Sequence, residues 1–249
     1  MKTVRNLFVG AFMLSACIAS AQQTETRKLS SFDKMDLSGP FDIILDKGSE
    51  ESVKIIAENV PLNKIITEVS GKTLEIRLEK GEYRNVKGKI YVTYKDVDAI
   101  NKSGSGNLTC NNDFTAGQFS LDFSGSGNIS GKSIKAAHVK ISKSGSGSIK
   151  LQGVDADDAD FGMSGSGDVD INGGTAKTQT IHLSGSGSIR SNGMKSTECT
   201  ASISGSGNID VAVSGSLSGI ISGSGNITYD GDPQVKKMSM SGSGRISKR

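Results

Sequence analysis

Six aspartates lie close together in this chain: Asp155, Asp157, Asp158, Asp160, Asp168 and Asp170. Two carboxylates facing each other could cleave a glycosidic bond, provided one is held protonated by its surroundings. Several converging carboxylate oxygens could instead hold Ca²⁺. Alternation along a strand puts Asp158, Asp160, Asp168 and Asp170 on the outer surface, which makes them the metal candidate of the chain. No spacing here matches a calcium loop. Asp168 alone follows a Gly-x-Gly in the way a calcium-binding repeat requires, so a solvated acidic patch is the expected reading. His138 and His182 are the only histidines. Both fall on outward positions and are expected to be solvated. Serine is so abundant that a Ser-His-Asp match would carry no meaning. No catalytic residue, cofactor or metal centre is assigned, and the chain is expected not to be an enzyme.

The elements that carry these residues are set by a repeat. Ser-Gly-Ser-Gly starts at Ser103, Ser124, Ser144, Ser164, Ser184, Ser204, Ser222 and Ser241, at intervals of 21, 20, 20, 20, 20, 18 and 19 residues. A period near twenty indicates stacked structural units. A disordered Gly/Ser linker would lack the apolar residues that flank each motif at alternate positions, such as Phe119, Leu121, Phe123 and then Ile129. From Phe119 to Tyr229 the strand-like apolar residues are nearly all odd-numbered, as are the repeat glycines, while the repeat serines are even. Period-two alternation means strand with one face buried. The glycines are therefore expected to face inward at a sharp bend and the serines outward. The 21- and 19-residue intervals shift the parity, and each should hold an extra or missing residue in a loop. The fold expected is all-β, a parallel β-helix or β-solenoid with rungs of about 20 residues spaced at about 4.8 Å.

Two columns follow each motif. One is always apolar: Leu108, Ile129, Ile149, Val169, Ile189, Ile209, Ile227 and Ile246. The column before it is polar and outward. Its Asn128, Asn208 and Asn226 are the candidate binding face, weighed against a role in keeping the sheet wet. The chain has no Trp and four Tyr, so platforms for stacking sugar rings are scarce. Cys110 and Cys199 fall on inward positions about four rungs apart, beyond disulfide reach, and are expected to be buried free thiols.

Composition changes near residue 100. Residues 22–100 read as an N-terminal β-strand capping region, and residues 101–249 as the Ser-Gly-Ser-Gly solenoid. In the first part, Ser70-Gly71-Lys72-Thr73 is a turn between two strands. Leu62, Ile65, Ile66 and Val69 also fit one or two helical turns. Leu37-Ser38-Gly39-Pro40-Phe41 looks like a degenerate rung. At the other end Arg245, Lys248 and Arg249 would discourage edge-to-edge pairing, although self-association through that end remains an alternative.

Residues 1–21 read as a signal peptide, with basic Lys2 and Arg5, an apolar stretch from Leu7 to Ile18, and small residues Ala19-Ser20-Ala21 before the cut. Leu14-Ser15-Ala16-Cys17 resembles a lipobox and makes Cys17 the candidate lipidation site. Either route implies export to the periplasm, cell surface or exterior. The formal charge of +3 drops to +1 without Lys2 and Arg5. With no basic stripe, nucleic acid is excluded as a partner. No further stretch is apolar enough to span a membrane.

The run Phe32-Asp33-Lys34-Met35-Asp36-Leu37-Ser38-Gly39-Pro40-Phe41-Asp42-Ile43, followed by Gly-Ser-Gly-Asn repeats, resembles the putative auto-transporter adhesin, head GIN domain family. The resemblance covers roughly residues 30–249. It implies a right-handed β-helix at the cell envelope and brings no catalytic residues to carry over. No membrane β-barrel segment follows the repeats, in contrast to the auto-transporter part of the family name. The expected function is an exported adhesion or binding module for a surface ligand, glycan or protein. The alternatives are a carbohydrate-active enzyme using the Asp155–Asp170 region and a purely structural spacer.

Overall fold

The computed structural model describes residues 22–249; the expected leader and Cys17 lie outside the described residues. Twenty strands form one continuous sheet. The first are β1 (Gln23–Lys28), β2 (Lys34–Leu37), β3 (Asp42–Lys47), β4 (Ser52–Glu58), β5 (Ile65–Ser70), β6 (Thr73–Leu78) and β7 (Lys87–Tyr94). Next come β8 (Ala99–Gly104), β9 (Leu108–Cys110), β10 (Phe114–Thr115), β11 (Gln118–Gly125), β12 (Ile129–Gly145), β13 (Ile149–Gly165) and β14 (Asp168–Ile171). The last are β15 (Gly174–Gly185), β16 (Ser188–Gly205), β17 (Asn208–Gly223), β18 (Asn226–Asp230), β19 (Gln234–Ser241) and β20 (Arg245–Lys248). From β8 onward all pairings are parallel, as expected for a solenoid. Ser124 pairs with Ser144, Ser144 with Ser164 and Ser164 with Ser184.

Each rung has three straight runs. In the third rung Val139, Ile141 and Lys143 point inward along the first run. The Ser-Gly corner leads into a second run, whose inward residue in β12 is Ile129. Bends near Lys132 and Ala137 bracket a third, in which Ile134 and Ala136 are buried. Each of those two bends shifts the inward positions by one residue, out of step and back again. The expected odd parity thus fails for the third run, where even-numbered Ile134, Ala136, Val154 and Met194 are core residues.

The corner corrects the reading of the glycines. The second glycine of each motif is buried from Gly106 to Gly225, but the first is not. Gly145 turns the corner at φ 97, and a Cβ there would stand 2.5 Å from the Gly125 carbonyl oxygen on the rung below. The first glycine therefore faces along the stack, and only the second faces in. A side chain at either would force the rungs apart.

Interval changes are absorbed locally. The rung offset is 21 at Cys110–Gly131 and 20 at Phe114–Ile134, so the extra residue lies in the Asn111–Asp113 loop, as expected. The 19-residue interval differs. Leu217 pairs with Val235 and Ser218 with Lys237, leaving Lys236 as a bulge inside β19. An edge strand has one neighbour to stay in step with and tolerates the insertion.

At the N-terminal end, Leu37 pairs with Lys102 and Ile43 with Leu108, so β2 and β3 form a rung beneath the first repeat. Gly39, at φ 109, stacks under Gly104. The hairpin β5–β6 turns through Gly71 and Lys72, both at positive φ, the geometry that a two-residue turn requires. Instead of one or two helical turns, a 3₁₀ turn over Leu62–Lys64 precedes β5. This stretch carries the chain from β4 on the second run to β5 on the first, across the end of the core, with Val60 buried beneath it. Arg27 ties the crossing down. Its guanidinium donates to the Ile65 carbonyl at 2.6 Å, to Thr67 Oγ1 at 2.9 Å and to the Leu62 carbonyl at 2.8 Å.

Candidate functional site

The outer side of the first run carries a groove of about 760 Å³ along the stack axis. Two outward columns line it. One is the first serine of each motif, from Ser124 to Ser222. The other lies two residues earlier: Asp122, Ser142, Gly162, His182, Ser202 and Ile220. Register places each in line with the next, so the groove extends about 25 Å at a rung spacing of about 4.8 Å. His182 Nδ1 lies 2.7 Å from Ser202 Oγ. Gly162 contributes no side chain at the midpoint, and a Cβ there would approach nothing nearer than 4.0 Å. The groove is thus a long trough with one edge of serine hydroxyls and one of mixed side chains, with Met163, Leu183 and Ile203 also among its lining residues.

The column continues past Asp122 through Asn101 and Asp36 to Glu75. The Asp36 carboxyl is held above the usual range, first by burial and then by the neighbouring Glu75 charge. Sequence reasoning missed this acidic extension because Asp36 and Glu75 sit in strands outside the repeat. Lys102 and Lys143 were missed too. Both are buried on the inward column next to Phe123, and each ammonium donates to a corner carbonyl: Lys102 to Ser103 at 2.7 Å, Lys143 to Gly145 at 3.1 Å. Burial pushes both lysines below their ordinary pKa.

The candidate Asn column is a hydrogen-bond ladder. Asn128 N–H donates to Asn107 Oδ1 at 2.9 Å, and Ser148 N–H donates to Asn128 Oδ1 at 3.1 Å. Asp168 N–H donates to Ser148 Oγ, and Ser188 N–H to Asp168 Oδ1. Asn226 Nδ2 donates to Asn208 Oδ1 at 3.0 Å. The amide oxygens of Asn128 and Asn208 therefore bind the next rung, leaving their outer edges for any ligand.

The aspartates are divided by the corner. Asp158 and Asp160 stand on the first run, Asp168 and Asp170 on the second. Asp158 pairs with His138 at 3.0 Å and Asp157 with Lys177 at 2.6 Å. Asp168 and Asp170 share Arg190 at 3.1 and 3.0 Å, and Asp155 accepts from Thr175. The Lys177 hydrogen bond holds Asp157 below the ordinary carboxylate range. Among the described residues no three His, Cys, Asp or Glu side chains are grouped to hold a metal ion. Cys110 and Cys199 are free and buried, as expected, and burial pushes both thiols up to about 12.

A family model described as putative auto-transporter adhesin, head GIN domain matches residues 31–173 and 154–233. A putative adhesin from Parabacteroides merdae superposes with a TM-score of 0.81 at 17% identity, covering 92% of this chain and 96% of that one. A putative lipid binding protein from Parabacteroides distasonis gives 0.78 at 25% identity, covering 92% and 96%. A putative adhesin from Bacteroides fragilis gives 0.66 at 22% identity, covering 93% and 98%. The two adhesin likenesses show the fold alone. A comparison with curated proteins finds no match.

Proposed function

The chain belongs to the putative auto-transporter adhesin, head GIN domain family, and on that premise we propose that it is an exported, non-enzymatic binding module whose serine groove holds an extended polymer at the cell surface. Membership supports a binding or adhesion role and a surface or exported location. Among the described residues no helix is long and apolar enough to cross a membrane. The observation that carries the reading is the groove itself, an unbroken serine column from Ser124 to Ser222 flanked by the mixed column Asp122, Ser142, Gly162, His182, Ser202 and Ile220, in line over several rungs. Such a surface suits a chain with its own repeat, a glycan or an extended peptide, more than a compact solute. The neighbour described as lipid binding makes a lipid the competing ligand.

Gly162→Tyr tests this directly. The ring would occupy the middle of the groove, where a new side chain meets open space. Wild-type protein and the variant would be compared on glycan arrays, matrix proteins, whole cells and lipid vesicles. Retention on a polymer, lost in the variant at unchanged melting temperature, is the expected result. Equal retention of both proteins would move the site elsewhere, and retention on vesicles alone would favour the lipid.

A further inference from the structure

The inward columns do not end alike at the two poles of the stack. Leu217, Ile221 and Ile227 are at most 1% exposed. One rung further in the same columns, Val235 is 46% and Met240 53% exposed, and Met238 and Ile246 are half-buried against the core. With Ile220, Val235 and Met240 are the exposed large hydrophobics among the described residues, and all three lie in the last two rungs. The backbone is open there as well. β19 pairs with β17 alone and β20 with β18 alone, so each presents a row of unpaired amide and carbonyl groups.

Charge decides what fits this edge. Lys248 is paired with Asp232, and Arg249 with Asp210 at 2.9 Å. Lys236, Lys237 and Arg245 have no ion-pair partner among the described residues. Two copies meeting end to end would bring these three cations against the same three. At the opposite pole of another copy β1 and β5 also keep an open edge, but the crossing segment at Val60 covers the core there, so the apolar columns would find nothing to continue them. The remaining occupant that satisfies backbone, columns and charge is an extended strand with apolar residues on one face and acidic residues on the other, the mode of strand addition.

We propose that the β19 edge takes up an extended acidic segment of a partner protein as an added strand, its apolar side chains continuing the columns that end at Val235, Met238 and Met240. Its carboxylates lie on the outer side, next to Lys237 and the bulged Lys236. This inference stands independently of the serine groove.

The test uses the full chain and two labelled peptides of alternating valine with either glutamate or lysine, read by fluorescence anisotropy. The glutamate peptide should bind and weaken with added salt. The lysine peptide should bind at least about tenfold more weakly, a difference of about 1.4 kcal/mol. Hydrogen exchange should slow across Gln234–Ser241. The double variant Lys236→Glu with Lys237→Glu, which alters exposed side chains, should keep its melting temperature and reverse the preference. Equal binding of both peptides, protection in the serine groove instead, or concentration-dependent dimers protected at β19 would each overturn the proposal.

Discussion

The two ends of the stack solve the same problem differently. Any stacked sheet has a first and a last strand, each with an unpaired edge and an exposed end of the core. At the N-terminal end the chain crosses the core between β4 and β5, buries Val60 and is held by three hydrogen bonds from Arg27. At the C-terminal end the columns stop at Val235, Met238 and Met240 under a rim of cations. One end is closed by covalent continuity, the other only guarded by charge and a bulge. A closed end can anchor cooperative stability, whereas a guarded end remains available for recognition.

The sharpest way to break this contrast is to place the same charge at both ends. Ile55→Asp puts a carboxylate in a fully buried site of β4 and should cost about 3–5 kcal/mol. Met240→Asp should change stability by no more than about 0.5 kcal/mol. Urea denaturation of both variants checks the pair, and equal losses would mean that the two ends are equally closed. Arg27→Ala comes next. It leaves the Ile65 and Leu62 carbonyls without their donor and should cost about 1.5–3 kcal/mol. Hydrogen exchange should speed up in β5 while β19 stays unchanged.

A subtler comparison uses the two thiols as reporters. Cys199 has two further strands stacked above it towards the open end, β17 and β19. Cys110 lies next to the closed end, between β3 and β12. If opening begins at the guarded end, Cys199 reacts with a thiol reagent several-fold faster than Cys110 in the native protein. The effect of pH is absent in the neutral range and begins only near pH 9. Burial raises both thiols to about 12 in the fold, from an ordinary value of 9.0. The stability they support is complete below pH 9 and declines as pH rises from there towards 12, because the unfolded thiols ionise first. Replacing both by alanine should flatten that part of the alkaline denaturation profile.

Much of the fold was legible from residue spacing, and the reasons are physical. The apolar column after each motif is buried from Leu108 to Ile227, so it recurs visibly in the sequence. The β5–β6 turn was legible from Ser70-Gly71-Lys72-Thr73 between two strand-like runs. The third run was not, because its two bends cancel in parity and Ile134 and Ala136 lie out of phase with their neighbours. Arg27 was also invisible, since the two carbonyls and the Thr67 hydroxyl that it ties down lie 35 to 40 residues away. The site was less legible than the fold. The serines were read as outward, but only register reveals that Asp36, Asn101 and Asp122 align with the column of Ser142 and Ser202. The amide oxygens of Asn107, Asn128 and Asn208 join the rungs, a role that stands beside the candidate binding face rather than replacing it.

The identity of successive corners has one last consequence. Gly145 meets Gly125 as Gly165 meets Gly145, each through the same carbonyl contact. A duplicated stretch of about twenty residues would therefore find matching neighbours above and below without any new fitting. Each such duplication would lengthen the trough by about 4.8 Å and leave both poles as they are. Reach, in this architecture, is a quantity that can be inherited in whole steps.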